Sequence, residues 1–257
     1  MKKEYVALVG LSALLSFGNP VVAQDWSLNE FQKEVQMVMD MPHRTDEDRA
    51  RDNNRNPVSA LDFIGLKPDM KVLEFGPGDG WYTKILGPLL KDKGELYIAY
   101  RKEWLDFLDP LLKEKPLASV KKLPVDINWS NESMSFIFGR FELPVRDVDM
   151  LLCIREYHNF SGGDRMVFNK QAFKALKPGG RYVVIDHTRR HMQKDTYENY
   201  RREDPVDVIL EAQAAGFVLD KSSDMFYRAD DELRYEVGRK TVAGNTDRFT
   251  LVFKKPI

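Results

Sequence analysis

Two stretches of this chain hold residue types and spacings suited to chemistry. The first, Val72-Leu73-Glu74-Phe75-Gly76-Pro77-Gly78-Asp79-Gly80-Trp81-Tyr82-Thr83, passes from an apolar run into glycines at alternate positions and then into helical periodicity. Backbone without Cβ atoms lets a ligand come close, and N–H groups converge at a helix N-terminus, so this turn suits an anionic or zwitterionic group. A dinucleotide fingerprint, G-x-G-x-x-G, would use Gly76 and Gly78 but needs a small residue where Trp81 stands, which argues against a nicotinamide cofactor. The second stretch is split, with Glu156-Tyr157-His158-Asn159 after one apolar run and Asp186-His187 after another. An imidazole titrates near neutrality, so His158 is the first candidate for a general base and His187 the second, each against the alternative of a hydrogen-bonded structural histidine. Arg51 and Arg55 could offer a guanidinium fork to an anionic ligand. They stand in a run of mixed charge, 43–55, whose plainer reading is a solvated helix. His187, His191 and Asp186 do not add up to a metal site, because Thr188, Arg189 and Arg190 around them make a poor ligand cage, and no metal is expected.

These loops need a scaffold. From Lys71 onward, short apolar runs ended by Gly, Pro or acidic residues alternate with helical periodicity, the signature of strand–helix units around a parallel sheet. Strands are expected at 71–75, 95–100, 120–125, 148–154, 181–186, 217–222 and 249–253. Helices are expected at 81–90, 102–112, 163–176 and 206–215, the last stopped by Gly216. The fold class is α/β: a doubly wound, mostly parallel seven-stranded sheet with helices on both faces, spanning 57–257. Ahead of it an amphipathic helix at 25–40 and the polar run form an N-terminal helical extension, 24–56, and Pro57 opens a further helix. The arm 225–247 reads as a lid or an irregular connection. In such a sheet ligands bind beyond the carboxyl ends of the strands, where both chemical stretches fall.

Composition narrows the class. A chain of 257 residues with 43% hydrophobic and 31% charged side chains is globular, not collagen, coiled coil or disordered. With 39 Lys+Arg against 40 Asp+Glu it lacks the basic excess of non-specific nucleic-acid binders, and no nucleic-acid partner is expected. Cys153 is the sole cysteine, so there is neither an intrachain disulfide nor a thiolate zinc cluster. Lys2 and Lys3, the uncharged apolar run 5–17 and the small residues up to Ala23 resemble a secretory signal peptide, 1–23, cut after Ala23. The run is shorter than the roughly 20 residues that span a bilayer, so no stable membrane insertion is expected after cleavage, and the place of action is periplasmic or secreted.

With Glu74 in front, the glycine turn is E-x-G-x-G-x-G, which resembles the first motif of class I S-adenosylmethionine-dependent methyltransferases. Leu176-Lys177-Pro178-Gly179-Gly180 looks like the turn into the fifth strand of that family, and Asp149-Met150-Leu151-Leu152-Cys153 falls where it places its fourth. The resemblance covers most of 57–257. The set of signal peptide, Arg51-Asp52 with Arg55 and Pro57, Gly80-Trp81-Tyr82-Thr83, Tyr157-His158-Asn159 and Asp186-His187 is similar to a group of exported bacterial proteins described as predicted methyltransferases.

The resemblance implies a Rossmann-like fold and S-adenosyl-L-methionine as cofactor, with Glu74, Gly76, Gly78, Gly80, Tyr82 and Tyr100 around it. It makes His158, Tyr157 and His187 the catalytic candidates and turns Arg51, Arg55, Asn159 and Asp186 toward the substrate. Tyr100 stands where the family usually has an acidic ribose ligand, with Glu103 three residues on, and the Asn/Asp-Pro-Pro-Tyr sequence of nucleobase methyltransferases is absent. The expected acceptor is therefore a small molecule or a cell-envelope component, and nucleobases are not expected. Two other readings stay open. One is a non-catalytic binding protein on the same scaffold, favoured by the conflict between export and a cofactor made in the cytosol; the other is a nicotinamide oxidoreductase.

Overall fold

A computed structural model describes residues 27–257; the expected leader, 1–23, and Trp26 lie outside them. The strands in chain order are β1 (Lys71–Phe75), β2 (Glu95–Tyr100), β3 (Lys121–Pro124), β4 (Ile127–Ser130), β5 (Ser135–Phe138), β6 (Val148–Ile154), β7 (Leu176–His187), β8 (Val218–Phe226) and β9 (Arg248–Lys254). Seven of them form one sheet in the order β3-β2-β1-β6-β7-β9-β8, parallel except for β9, which runs antiparallel to both its neighbours. Val72 to Phe75 are buried on both faces, as are Met150 to Cys153, because central parallel strands are covered by helices above and below. The chain leaves β1 for β2 on one side and returns to β6 on the other. This change of direction opens a crevice at the carboxyl ends of β1 and β6.

The helices are α1 (Glu30–Met39), α2 (Asp46–Arg49), α3 (Asp52–Arg55), α4 (Pro57–Phe63), α5 (Thr83–Leu90), α6 (Lys102–Phe107), α7 (Asp109–Leu112), α8 (Gly162–Ala175) and α9 (Pro205–Ala214). Asn29 and Gln32 cap α1 reciprocally, and its Val35, Val38 and Met39 join the same core as Leu61 and Leu86. The single helix expected at 102–112 is two, α6 and α7, because Pro110 offers no N–H to continue the ladder. The β4–β5 hairpin was not expected; its alternation of Ile127 and Trp129 with Phe136 and Phe138 lies in runs of only four residues each. Among the described residues, no helix is long and apolar enough to cross a membrane.

The polar run 43–55 is only in part a solvated face. Arg44 is buried, donating to both oxygens of Asp52 at 2.6 and 3.1 Å and to the Met39 carbonyl at 3.0 Å. Asp48 is buried too, accepting from Lys84 Nζ at 2.6 Å, while its carbonyl takes the Trp81 indole N–H at 2.9 Å. Members of a mixed-charge run hide in this way when they pair with one another and with the next element. The run becomes a strap across the start of α5.

Candidate active site

The chain leaves β1 at Phe75 and turns through Gly76–Pro77–Gly78–Asp79–Gly80 into α5. Gly76 has φ +70°, and a Cβ there would stand 2.5 Å from Glu156 Cγ and 2.9 Å from its Oε2. That glycine makes room for a side chain from the end of β6. Gly78, at φ +58°, has no atom within 4 Å of where its Cβ would be, so it leaves open space, whereas a Cβ on Gly80 would strike Leu111. The space at Gly78 belongs to a cavity of about 140 Å³ bordered by Arg55, Glu74, Tyr82, Arg155 and Glu156. Glu74 is buried beneath it, its Oε2 accepting from Thr83 Oγ1 at 2.7 Å, and burial lifts its carboxyl to about 7 against that hydrogen bond.

The two candidate arginines have different fates. Arg51 is committed to Asp48 at 3.0 Å and to Asp79 of the glycine turn at 2.8 Å. Arg55 lies over the Trp81 ring, 4.5 Å from its centroid, and has no hydrogen bond or ion pair among the described residues. Burial and then Arg155 lower it to about 10, still cationic at neutral pH. It is a half-buried guanidinium facing the cradle with its donors uncommitted. Tyr82 sits beside it, buried, its hydroxyl pushed up by burial.

A larger cavity, about 450 Å³, shares Gly78, Arg155 and Glu156 with the first. Its aromatic wall comes from Tyr100, Trp104, Trp129 and Phe136, which meet edge to face at centroid distances of 5.0 to 5.5 Å. The hairpin thus contributes half of the wall. Tyr100 donates its hydroxyl to Glu156 Oε1 at 2.6 Å, so the residue at the usual acidic position brings a carboxyl group from the loop after β6 with it. Glu103 lies elsewhere, exposed and paired with Arg101.

Burial raises the Glu156 carboxyl to about 8, opposed by hydrogen bonds from Tyr100 and Asn159. Its folded pKa lies above the unfolded one, so it stabilises the fold fully below about pH 4.5, and that contribution is lost as pH rises through about 8. The expected result is that Glu156→Gln narrows the fall in unfolding free energy between pH 5 and pH 8.5 by a few kcal/mol, because each pH step between the unfolded and folded pKa values is worth about 1.4 kcal/mol. Urea unfolding at the two pH values measures it. Parallel pH profiles for the two proteins would mean that Glu156 is already ionised in the fold.

At the end of β7, Asp186 is fully buried and accepts the backbone N–H of His158 at 3.0 Å, His158 Nδ1 at 2.6 Å and the backbone N–H of His187 at 2.7 Å. A carboxylate at Nδ1 selects the Nδ1–H tautomer and leaves the lone pair on Nε2. That nitrogen has no hydrogen-bond partner among the described residues, and His158 lines the aromatic cavity. His187 differs. Its Nε2 accepts from Arg155 Nε at 3.1 Å and its Nδ1 bonds Thr246 Oγ1 at 2.7 Å, while burial and then Arg155 hold its pKa well below the usual value. It is a neutral ring with both nitrogens committed. Tyr157, buried under α8 and α9, donates to Glu211 at 2.7 Å and accepts from Asn169 at 2.9 Å, away from either cavity. Asn159 lines the aromatic cavity beside Glu156.

The structure therefore gathers Glu74, Gly76, Gly78, Tyr82, Arg55, Tyr100, His158, Asn159 and the supporting Asp186 around one crevice, and leaves out Tyr157, Gly80 and, beyond the rim, Arg51. It adds Arg155, and it gives a place to Glu156, which the sequence marks only as one of the residues following the fourth strand. Arg155 takes φ +57°, a left-handed conformation uncommon for a side chain of its size. No sequence signal marks that.

Neither a protein-family model nor any curated protein matches the sequence. Solved structures match over most of the chain. An S-adenosylmethionine-dependent methyltransferase from Aquifex aeolicus superposes with a TM-score of 0.59 at 19% identity, covering 87% of this chain and 97% of that one. The chain has the methyltransferase-type Rossmann-like fold. An O-methyltransferase family protein from Burkholderia thailandensis shares this fold with a TM-score of 0.53 at 13% identity, over 88% of this chain and 63% of its own. So does the [4+2]-cyclase SpnF, at 0.57 and 18%, over 79% of this chain and 81% of its own. A methyltransferase-type fold that also carries a cyclase leaves the reaction to be argued from the site.

Proposed function

We propose that the chain is an S-adenosylmethionine-dependent methyltransferase acting on a small molecule or a cell-envelope component. The observation that carries this reading is that one continuous crevice joins the open space at Gly78 to the unpartnered Nε2 of His158. The residues fit the cofactor. Arg55 has free donors for the methionyl carboxylate, Gly78 leaves room for the amino-acid end, and the aromatic wall suits a purine, with the Tyr100–Glu156 pair in reach of ribose hydroxyls. Bound there, the cofactor would supply an electrophilic methyl group on a sulfonium. His158 Nε2 would take the proton of an acceptor hydroxyl, Asp186 would stabilise the imidazolium, and the crevice would hold the reacting atoms about 3 to 3.5 Å apart.

One observation favours the binding-protein alternative: the Glu156 side chain already leans over Gly76 and engages Tyr100, filling part of the cradle. Export through the leader is part of the proposal, and it requires cofactor to be met outside the cytosol. Calorimetric titration of the purified chain with S-adenosylmethionine, its demethylated product and NADH decides among these readings. Micromolar binding of the first two with no response to NADH is expected. Binding of NADH alone, or of none, would reject the methyltransferase reading.

A further inference from the structure

A third cavity, about 380 Å³, adjoins the aromatic one, and His158 and Arg201 line both. It is built by the chain that follows β7. Glu203 N–H donates to the His187 carbonyl and Arg189 N–H to the Glu203 carbonyl, each at 2.8 Å, which lays residues 200–204 alongside the strand end. Tyr200 ties that segment to the β4–β5 turn through its hydroxyl on the Met134 carbonyl at 2.6 Å. Met134 and Arg201 both take left-handed φ, +51° and +64°, so unusual backbone gathers at this cavity as it does at Arg155 beside the next one.

The buried charges lining the cavity are paired. Arg165 donates to Glu203 Oε1 at 2.6 Å with both side chains nearly buried, and Arg202, fully buried, grips both oxygens of Asp231 at 2.9 Å. At the exposed rim Arg201 stands with Glu132 and Asp195, the last 3.4 Å from Arg189. What remains is hydrogen-bonding capacity. Glu203 Oε2 and Arg165 Nε are buried without a partner, and Ser133 and Ser135, whose hydroxyls bond each other at 2.8 Å, line the same cavity with the exposed Tyr197. An anionic or cationic ligand would need a buried opposite charge left unpaired, and none lines this cavity among the described residues; a ligand rich in hydroxyls needs donors and acceptors together.

We propose that this third cavity holds the methyl acceptor, and that the acceptor is a neutral polyhydroxylated molecule, a sugar or similar polyol, one hydroxyl of which reaches His158 Nε2. The transfer step rests on the methyltransferase reading; the site itself does not. In that step the acceptor O–H gives its proton to Nε2, the oxygen forms a bond to the methyl carbon, and the carbon–sulfur bond breaks with its electron pair left on a neutral thioether.

Three isosteric probes test the site on the full chain by saturation-transfer NMR without cofactor: glucose, glucuronate and glucosamine. Glucose is expected to give the strongest transfer. Glu203→Gln should weaken it several-fold, and Gly162→Trp, a bulky ring at a lining position where a Cβ meets nothing within 4 Å, should abolish it. Calorimetry on both variants should show unchanged affinity for S-adenosylmethionine. Preference for either charged sugar, silence of all three, or glucose binding that survives Gly162→Trp would overturn the site. Glucose binding that follows both variants, with no S-adenosylmethionine bound by any of the proteins, would keep the site and overturn the transfer step.

Discussion

His158→Ala is expected to lower methyl transfer by about 10²- to 10⁴-fold, the usual contribution of a positioned general base, with cofactor affinity within about twofold of the parent. The expectation rests on three observations. Asp186, buried at the end of β7, holds both the ring nitrogen Nδ1 and the backbone N–H of the same residue, so ring and loop are fixed together. The other nitrogen, Nε2, faces the crevice with no competitor. His187 cannot stand in for it, since Arg155 and Thr246 occupy both of its ring nitrogens. Transfer of labelled methyl to a hydroxylated acceptor, together with calorimetry for the cofactor, separates the two effects. A His158→Ala protein that turned over at the parent rate would remove this residue from the chemistry and leave the crevice as a binding site only.

The second large effect is expected at Gly78. Gly78→Val places a branched side chain on a backbone at φ +58° and directs it into space that is otherwise empty. Affinity for S-adenosylmethionine should fall more than about 100-fold, roughly 3 kcal/mol, while the melting temperature drops by only about 2 to 8 °C, since the left-handed backbone strain costs about 1 to 2 kcal/mol and no packed neighbour is displaced. Gly76 offers the contrast. A Cβ there collides with Glu156, so Gly76→Ala should act through that carboxyl and disturb the fold as well as the ligand. A folded Gly78→Val chain that still bound the cofactor at parent affinity would show that the cradle lies elsewhere.

The strands at 71–75, 95–100 and 148–154 were legible residue by residue, because central parallel strands are continuous apolar runs with abrupt polar ends. The glycine turn was legible for the same local reason. The site was less so. Glu156 was visible at the end of the fourth expected strand, yet its meeting with Tyr100 joins residues 56 apart in sequence and depends on which strands become neighbours. Tyr157 and His158 are adjacent in sequence and both stood among the catalytic candidates; a single 3₁₀ turn sends one hydroxyl toward Asn169 and one imidazole toward the crevice. Arg44 and Asp48 looked solvated because pairing between charges, not hydropathy, decides whether a polar run is buried. The hairpin that supplies Trp129 and Phe136 was missed because two four-residue strands carry too little periodicity to stand out.

The strap from Arg44 to Arg55 sets where this chain can be shortened. A fragment beginning at Pro57 would keep every strand of the sheet and still lose the partners of groups it retains. Lys84 would face the protein without Asp48, and the Trp81 indole N–H would point at nothing. Arg248, whose guanidinium reaches the Asn54 carbonyl, would be left on the far side with the same vacancy. Each orphaned group costs about 1 to 3 kcal/mol, a large share of a typical domain's stability. The segment ahead of the sheet is thus one that a minimal folded fragment would most need to keep, and a workable truncation ends before the Asn29 cap of α1.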